Sequence, residues 1–166
     1  RRYWAVLFGV TEFRRTRGGE GPNALLNYGY AIIRSMVARA VCAAGLHPSI
    51  GLHHRNRYDA FVLADDLVEP LRPLVDLAVA QYVAERGMDA PLDRDSKQAL
   101  GEVLSGCVRV GDERRTVWDS CGRMASSLAQ VYLGRRDRMV LPEIILETDK
   151  EGEEGQVNGA RKETGA

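Results

Sequence analysis

Residues 23–44, NALLNYGYAIIRSMVARAVCAA, form a long unbroken stretch of helix-forming residues. Pro22 precedes it, where the first turn of a helix tolerates proline, and Gly45 follows it as a stop signal. Only Gly29 interrupts the pattern. A helix of this length with apolar residues on most of its surface is largely buried. The stretch therefore predicts a central helix against which the rest of the chain packs.

Helical spacing also dominates on both sides of this central segment. Within residues 62–87, Pro70 and Pro73 predict a kink or a break between two helices, because proline removes a backbone donor and clashes with the preceding turn. The other predicted elements are a helix end over 3–8, a helix over 95–105, a hairpin over 108–117 that turns at Gly111 and Asp112, and a helix over 118–134. The predicted fold class is mainly α, with one small β-hairpin near the C-terminus.

Composition limits the domain organisation and the class of protein. The 166 residues, of which 45% are hydrophobic and 28% charged, suit one globular domain, which we place at residues 1–146. From Glu147 onward the residues are mostly Glu, Lys and Gly, so residues 147–166 are predicted to be a disordered charged tail. No stretch approaches the roughly 20 apolar residues that span a bilayer, so we expect no membrane partner.

Charge and cysteine content exclude several functions and leave others open. The 23 basic and 23 acidic side chains cancel, so net charge alone does not indicate nucleic-acid binding. The three cysteines lack CxxC spacing, which argues against both a disulfide framework and a zinc site and favours a reducing cytoplasm. The chain opens with Arg1 and an amphipathic run, which we interpret as a start inside a helix.

The candidate chemistry lies in residues 51–73, GLHHRNRYDAFVLADDLVEPLRP. Asp66 and Glu69 are three residues apart, so on a helix their carboxylates share a face, and a divalent cation or a basic partner between them would remove their repulsion. His54 is the nearest suitable imidazole, and oxygen ligands with one imidazole suit Mn²⁺ or Mg²⁺ better than zinc. The alternative is that these residues form the solvated polar end of a helix, with a surface histidine beside it.

Several other polar residues share helix faces or one loop. Arg72 and Asp76, four residues apart, predict a structural ion pair. Asn23 and Asn27 lie on one face of the central helix, where they are expected to tie the helix to a loop by hydrogen bonds. A cluster in the preceding loop is a candidate phosphate contact, and it consists of Arg14, Arg15 and Arg17.

Three motifs together carry a resemblance to one protein family. They are NxxLNYGYA at residues 23–31, GxxH ending at His54, and DDLxEPxRPxVD at residues 65–76. They resemble the C-terminal helical domain of the CRISPR-associated spacer-acquisition integrase, in the form found in type II systems. The resemblance covers about residues 1–145, because the predicted hairpin and last helix are also similar. It implies a helical catalytic domain that is preceded, in the intact protein, by a β domain.

The resemblance also implies a metal-dependent DNA endonuclease and integrase. The implied Mn²⁺ or Mg²⁺ ligands are His54 and Glu69, with Asp66 as a neighbour that supports the site or binds a second ion. A further glutamate ligand is expected upstream of Arg1, so the chain alone is expected to have impaired activity. Arg72 joins the loop arginines as an expected DNA contact.

The implied reaction and partners follow the family. The 3′-hydroxyl of a short duplex attacks a phosphodiester at the leader–repeat junction, which inserts a spacer into a CRISPR array. The implied partners are double-stranded DNA, a second copy of the protein and the small second Cas protein of the acquisition complex, in a prokaryotic cytoplasm. The competing interpretation is a non-catalytic helical module that binds DNA or other Cas subunits.

Overall fold

Six helices, one 3₁₀ turn and a two-stranded hairpin make up the regular structure of residues 2–145, the part of the chain that the computed structural model describes. The mainly α class with one small hairpin is thereby confirmed. The predicted tail from residue 147 lies outside the described residues. The elements are α1 Arg2–Phe8, α2 Pro22–Ala43, α3 Val62–Val68, a 3₁₀ turn Glu69–Leu71, α4 Arg72–Arg86, α5 Arg94–Leu104, β1 Cys107–Val110, β2 Glu113–Thr116 and α6 Val117–Tyr132.

The central helix α2 is confirmed and forms the middle of the core. It packs against α3, α4, α5 and α6. Its buried face carries Pro22, Leu25, Leu26, Gly29, Ile33, Val37 and Val41. Gly29 is required by packing, since a Cβ built there would lie 2.5 Å from Val75 Cγ1 of α4. The absence of a side chain at Gly29 therefore lets α2 and α4 approach closely.

The predicted break at the prolines separates α3 from α4. Pro70 lies within the 3₁₀ turn and Pro73 lies in the first turn of α4, where a missing backbone donor costs little. The apolar residues around the acidic cluster are buried, and they are Val62, Leu63, Leu67, Val68 and Leu71. The turn therefore brings Glu69 to the surface at the junction of two buried helices.

The hairpin and the last helix close the other side of the core. β1 and β2 are antiparallel, with Val108 opposite Arg115, and Gly111 takes a φ of 62° in the turn. Sequence patterns did not predict one further pairing. Glu143 forms an isolated antiparallel bridge with Arg109 of β1. None of the described helices has the combination of length and apolar character needed to cross a bilayer.

Candidate functional site

The Asp66 carboxylate organises the loop that carries the two adjacent histidines. Asp66 lies on α3, its side chain is only 5% exposed, and it accepts hydrogen bonds from three consecutive amides. These are the amides of Leu52 at 2.6 Å, His53 at 3.0 Å and His54 at 3.1 Å. A carboxylate that binds three successive amides fixes the path of that backbone. Asp66 therefore anchors the loop to α3.

Gly51 makes this anchor possible. A Cβ at this position would lie 2.5 Å from the His54 carbonyl oxygen and 2.9 Å from Asp66 Oδ2. Any side chain there would push the loop away from the carboxylate. The glycine of the GxxH motif thus has a local physical reason, which is the close approach of the loop to α3.

His54 is held by the same carboxylate. Its Nδ1 lies 2.6 Å from Asp66 Oδ1, and because an ionised carboxylate only accepts, Nδ1 carries the proton. Burial alone would raise the pKa of Asp66, but the hydrogen bonds from His53, His54 and Leu52 outweigh it and hold that pKa below its ordinary value. In the neutral ring this leaves the Nε2 lone pair free for a metal ion or a proton.

His54 and Glu69 line one surface pocket of about 410 Å³. Asp66 does not line it, and lies behind His54 instead. The two residues come from an exposed loop and from the 3₁₀ turn, and the fold brings them to the same cavity. The lining residues are Arg17, Tyr30, Arg34, His54, Asn56, Asp59, Val62, Asp65, Val68, Glu69 and Arg72.

Arg34 of α2 forms an ion-pair cluster on one wall of this pocket. Its Nη2 lies 3.0 Å from Asp59 Oδ1, and its Nε donates to Asp65 Oδ1. Hydrogen bonds and charge from these two carboxylates outweigh the effect of burial and raise the pKa of Arg34. Asp59 lies 25 residues from Arg34 in sequence, and no sequence pattern indicated this contact.

Arg72 pairs with Glu69, not with Asp76 as the spacing predicted. Arg72 Nη1 lies 2.8 Å from Glu69 Oε1, and its guanidinium stacks 4.8 Å from the ring centroid of Tyr30. The reason for the error is the environment of Asp76, which is buried and accepts from the hydroxyls of Tyr3 and Tyr30. Each oxygen of the Asp76 carboxylate accepts from one tyrosine hydroxyl, and Arg72 pairs with Glu69 at the surface instead.

The expected ties between α2 and the preceding loop are confirmed. Asn23 Oδ1 accepts from the Thr16 amide at 2.9 Å, and Asn27 Nδ2 donates to the Arg17 carbonyl at 2.9 Å. The three loop arginines are placed differently from one another. Arg17 lines the pocket and Arg14 is exposed outside it, whereas Arg15 is partly buried and bonds to both asparagines.

The donor atoms of the pocket are of the types that bind a hard divalent cation, but few side chains supply them. The described residues contain no group of three or more His, Cys, Asp and Glu side chains arranged to hold a metal ion. His54 supplies an imidazole nitrogen and Glu69 a carboxylate that is half exposed. Oxygen with imidazole is the donor set that Mn²⁺ and Mg²⁺ accept.

Comparison with known proteins gives relatives for most of the chain. The CRISPR-associated endonuclease Cas1 of Neisseria meningitidis serogroup C (strain 8013) is 36% identical over 144 residues, which are 86% of this chain and 47% of that protein. CRISPR-associated endonuclease Cas1 2 of Pyrobaculum aerophilum is 38% identical over 85 residues, which are 50% of this chain and 29% of that protein. The chain thus spans less than half the length of these curated relatives.

A solved structure agrees in fold. A casposase bound to integration product superposes with a TM-score of 0.68 at 22% sequence identity, covering 83% of this chain and 46% of that chain. At this identity the similarity concerns the fold alone. A family model described as "CRISPR associated protein Cas1" matches residues 2–104, which is more than half of the chain. With the fold, the sequence relatives and the family model in agreement, the chain belongs to the Cas1 family.

Proposed function

We propose that this chain forms the catalytic part of a metal-dependent DNA integrase that inserts spacers into a CRISPR array. The curated relatives carry the name endonuclease, and the structural neighbour is bound to an integration product. The proposed reaction is attack by a DNA 3′-hydroxyl on a phosphodiester. One bond to phosphorus forms, the bond to the leaving 3′-oxygen breaks, and no covalent link to the protein is needed.

One observation carries this proposal. His54 and Glu69, which are fifteen residues apart, line the same pocket, and Asp66 holds His54 with Nε2 available. A surface histidine without a binding role does not need a nearly buried carboxylate to fix its ring and its backbone. This arrangement of carboxylate, histidine and open nitrogen is the one that orients imidazole ligands in metal sites.

His54 and Glu69 would hold the proposed Mn²⁺ or Mg²⁺, and the resemblance expects a further glutamate from a segment upstream of Arg1. When bound, a divalent cation neutralises charge on the phosphate oxygens and the leaving oxygen. Asp66 would act through His54, because it sets the tautomer and the orientation of that ring and itself lies outside the pocket. We therefore favour a supporting role for Asp66 over a second metal site.

The arginines at the pocket would bind DNA phosphates. Arg17 and Arg72 line the cavity, and Arg72 is steadied by its stack on Tyr30. Such contacts orient the duplex without reading its sequence. Double-stranded DNA, a second copy of the protein, the small second Cas protein and a prokaryotic cytoplasm complete the proposed setting.

The first test is a titration of the ¹⁵N-histidine-labelled chain with Mn²⁺. We expect the ring signals of His54 to broaden before those of His47 and His53, which serve as internal controls. Glu69→Ala should abolish this preference, because it removes the second ligand from the pocket. Equal broadening of the three histidines, unchanged by Glu69→Ala, would contradict the proposed metal site.

A second candidate is a non-catalytic helical module that binds DNA or another Cas subunit. Two ligands without a third among the described residues favour this alternative. Strand transfer by a protein of the relatives' full length that contains this chain separates the two candidates. Loss of transfer with retained DNA binding in Glu69→Ala supports catalysis, and full transfer by that variant would favour the module.

A further inference from the structure

The three arginines that line the candidate pocket differ in their partners. Arg34 is paired with Asp59 and Asp65, and Arg72 is paired with Glu69. Arg17 is exposed and has no carboxylate partner within residues 2–145. An anion that enters the pocket therefore meets two arginines whose charge is partly offset by carboxylates, and one whose charge no carboxylate of the described residues offsets. Arg17 is the arginine whose charge is not offset.

The backbone that carries Arg17 is fixed by α2. Asn27 Nδ2 donates to the Arg17 carbonyl at 2.9 Å, and Asn23 Nδ2 donates to the Arg14 carbonyl at 3.1 Å. The Thr16 amide donates to Asn23 Oδ1 at 2.9 Å. A cation on a backbone that is already ordered loses less freedom when it binds a ligand. The backbone of Arg17 is therefore ordered at the pocket before any ligand arrives.

The other two loop arginines have different environments. The guanidinium of Arg15 bonds to Asn27 Oδ1 at 2.6 Å and to Asn23 Oδ1 at 3.2 Å, and it lies 5.5 Å from the ring centroid of Tyr30. These contacts make Arg15 an internal brace between the loop and α2. Arg14 is exposed but lies outside the pocket lining. Arg14 is thus a matched control for Arg17, with the same charge on the same loop.

We propose that Arg17 binds a phosphate group of the DNA backbone at the candidate site, and that Asn27 is the positioning residue that places it there. This assignment rests on the proposed function and narrows it. Of the three loop arginines it gives phosphate binding to Arg17, a structural role to Arg15, and no contact with the ligand in the pocket to Arg14. Arginine suits the role, since its planar fork can donate two hydrogen bonds to one phosphate.

The test is fluorescence anisotropy of a labelled DNA duplex with the chain, in the presence of a chelator so that no metal contributes. We expect Arg17→Ala to weaken binding about five- to tenfold near 0.1 M salt and to reduce the slope of log K against log salt by about 1. Arg17→Lys keeps the charge but not the two-pronged donor, so it should lose less affinity than Arg17→Ala and should keep the wild-type salt slope. Arg14→Ala should change it less than about twofold, because Arg14 lies outside the pocket.

A double-substitution cycle tests the role of Asn27. Asn27→Ala should weaken binding, and Arg17→Ala should then cost clearly less in the Asn27→Ala background than in the wild type. The matched cycle of Asn27→Ala with Arg14→Ala should be additive. A general loss of folding would not produce this selectivity, and melting temperatures confirm that each variant is folded.

The outcomes separate this assignment from the proposed function. Wild-type binding that is unaffected by Arg17→Ala, or weakened equally by Arg14→Ala and Arg17→Ala, overturns the assignment while leaving the function in place. Additive effects of Asn27→Ala and Arg17→Ala overturn the positioning role. A wild-type chain that binds no duplex at all contradicts the proposed DNA substrate itself, and the assignment fails with it.

Discussion

Replacing Asp66 by alanine should release the histidine loop from α3. The carboxylate is 5% exposed and accepts from the Leu52, His53 and His54 amides and from His54 Nδ1. Alanine leaves all four donors without this acceptor. We expect both the stability of the chain and the orientation of His54 to change.

The size of the loss follows from the exposure of the donors. A hydrogen bond to a charged group contributes about 1.5–3 kcal/mol, and a buried donor left without a partner costs about 1–3 kcal/mol. Residues 52–54 are exposed, so water replaces much of each lost bond. We therefore expect a cost near 1 kcal/mol for each of the three amides, or about 3 kcal/mol in all. For a chain of this size that lowers Tm by about 6–12 °C.

The pH dependence of this contribution has a defined sign. The hydrogen bonds hold the pKa of Asp66 below its ordinary value, so the folded state binds this proton less readily than the unfolded state. The stabilisation is complete above the unfolded aspartate pKa of about 3.9 and is lost as the pH falls through the lower folded value. Urea titrations of wild type and Asp66→Ala should converge at the acidic end of this window.

The neighbouring Asp65 provides the control. It pairs with Arg34 and forms no hydrogen bond or ion pair with residues 52–54, so Asp65→Ala should leave the ¹⁵N ring signals of His54 close to those of the wild type. Asp66→Asn should shift them, because an amide nitrogen facing Nδ1 favours the tautomer with the proton on Nε2. Wild-type stability together with wild-type His54 signals in Asp66→Ala would refute the anchoring role.

Further predictions concern the core and its buried acid. Gly29→Ala should cost about 1–3 kcal/mol by overpacking against Val75, whereas Gly101→Ala, with no atom within 4 Å of the new Cβ, should gain about 0.5–1 kcal/mol in urea unfolding. Equal effects would contradict the packing argument. Burial, together with the hydrogen bond and charge of Asp76, raises the pKa of Tyr30 to about 12. Asp76→Asn should lower that pKa part of the way toward 10, as measured by tyrosinate absorbance.

Regular structure was predictable because it depends on local pattern. Pro22 and Gly45 bound a helix that the structure places at Pro22–Ala43, and Pro70 and Pro73 mark the change from α3 to α4. These signals act within a few residues, where proline geometry and apolar spacing dominate. The pairing of Glu143 with Arg109 left no comparable signal, because a bridge between distant segments depends on the finished fold.

The sequence indicated which residues form the candidate site, but not which of them contact one another. The spacing of Asp66 and Glu69 suggested two carboxylates that face one ion. In the structure the short helix α3 ends between them, Asp66 faces the histidine loop, and Glu69 faces the pocket. Spacing fixes which residues share a face only while one helix continues through both. The Arg72–Asp76 pair failed for a different reason, since both residues lie on α4 but the buried acid bonds to two tyrosine hydroxyls.

The polar residues of α2 explain why the site lies where it does. Asn27, Tyr30 and Arg34 recur at intervals of three and four, so they share one face beside the buried apolar face. Each fixes a different segment, since Asn27 holds the arginine loop, Tyr30 meets Asp76, and Arg34 holds Asp59 and Asp65. Polar groups on a packed helix are costly unless they find partners. Their partners here come from segments far apart in sequence, so the central helix positions the loop arginine, the acids and the pocket wall together.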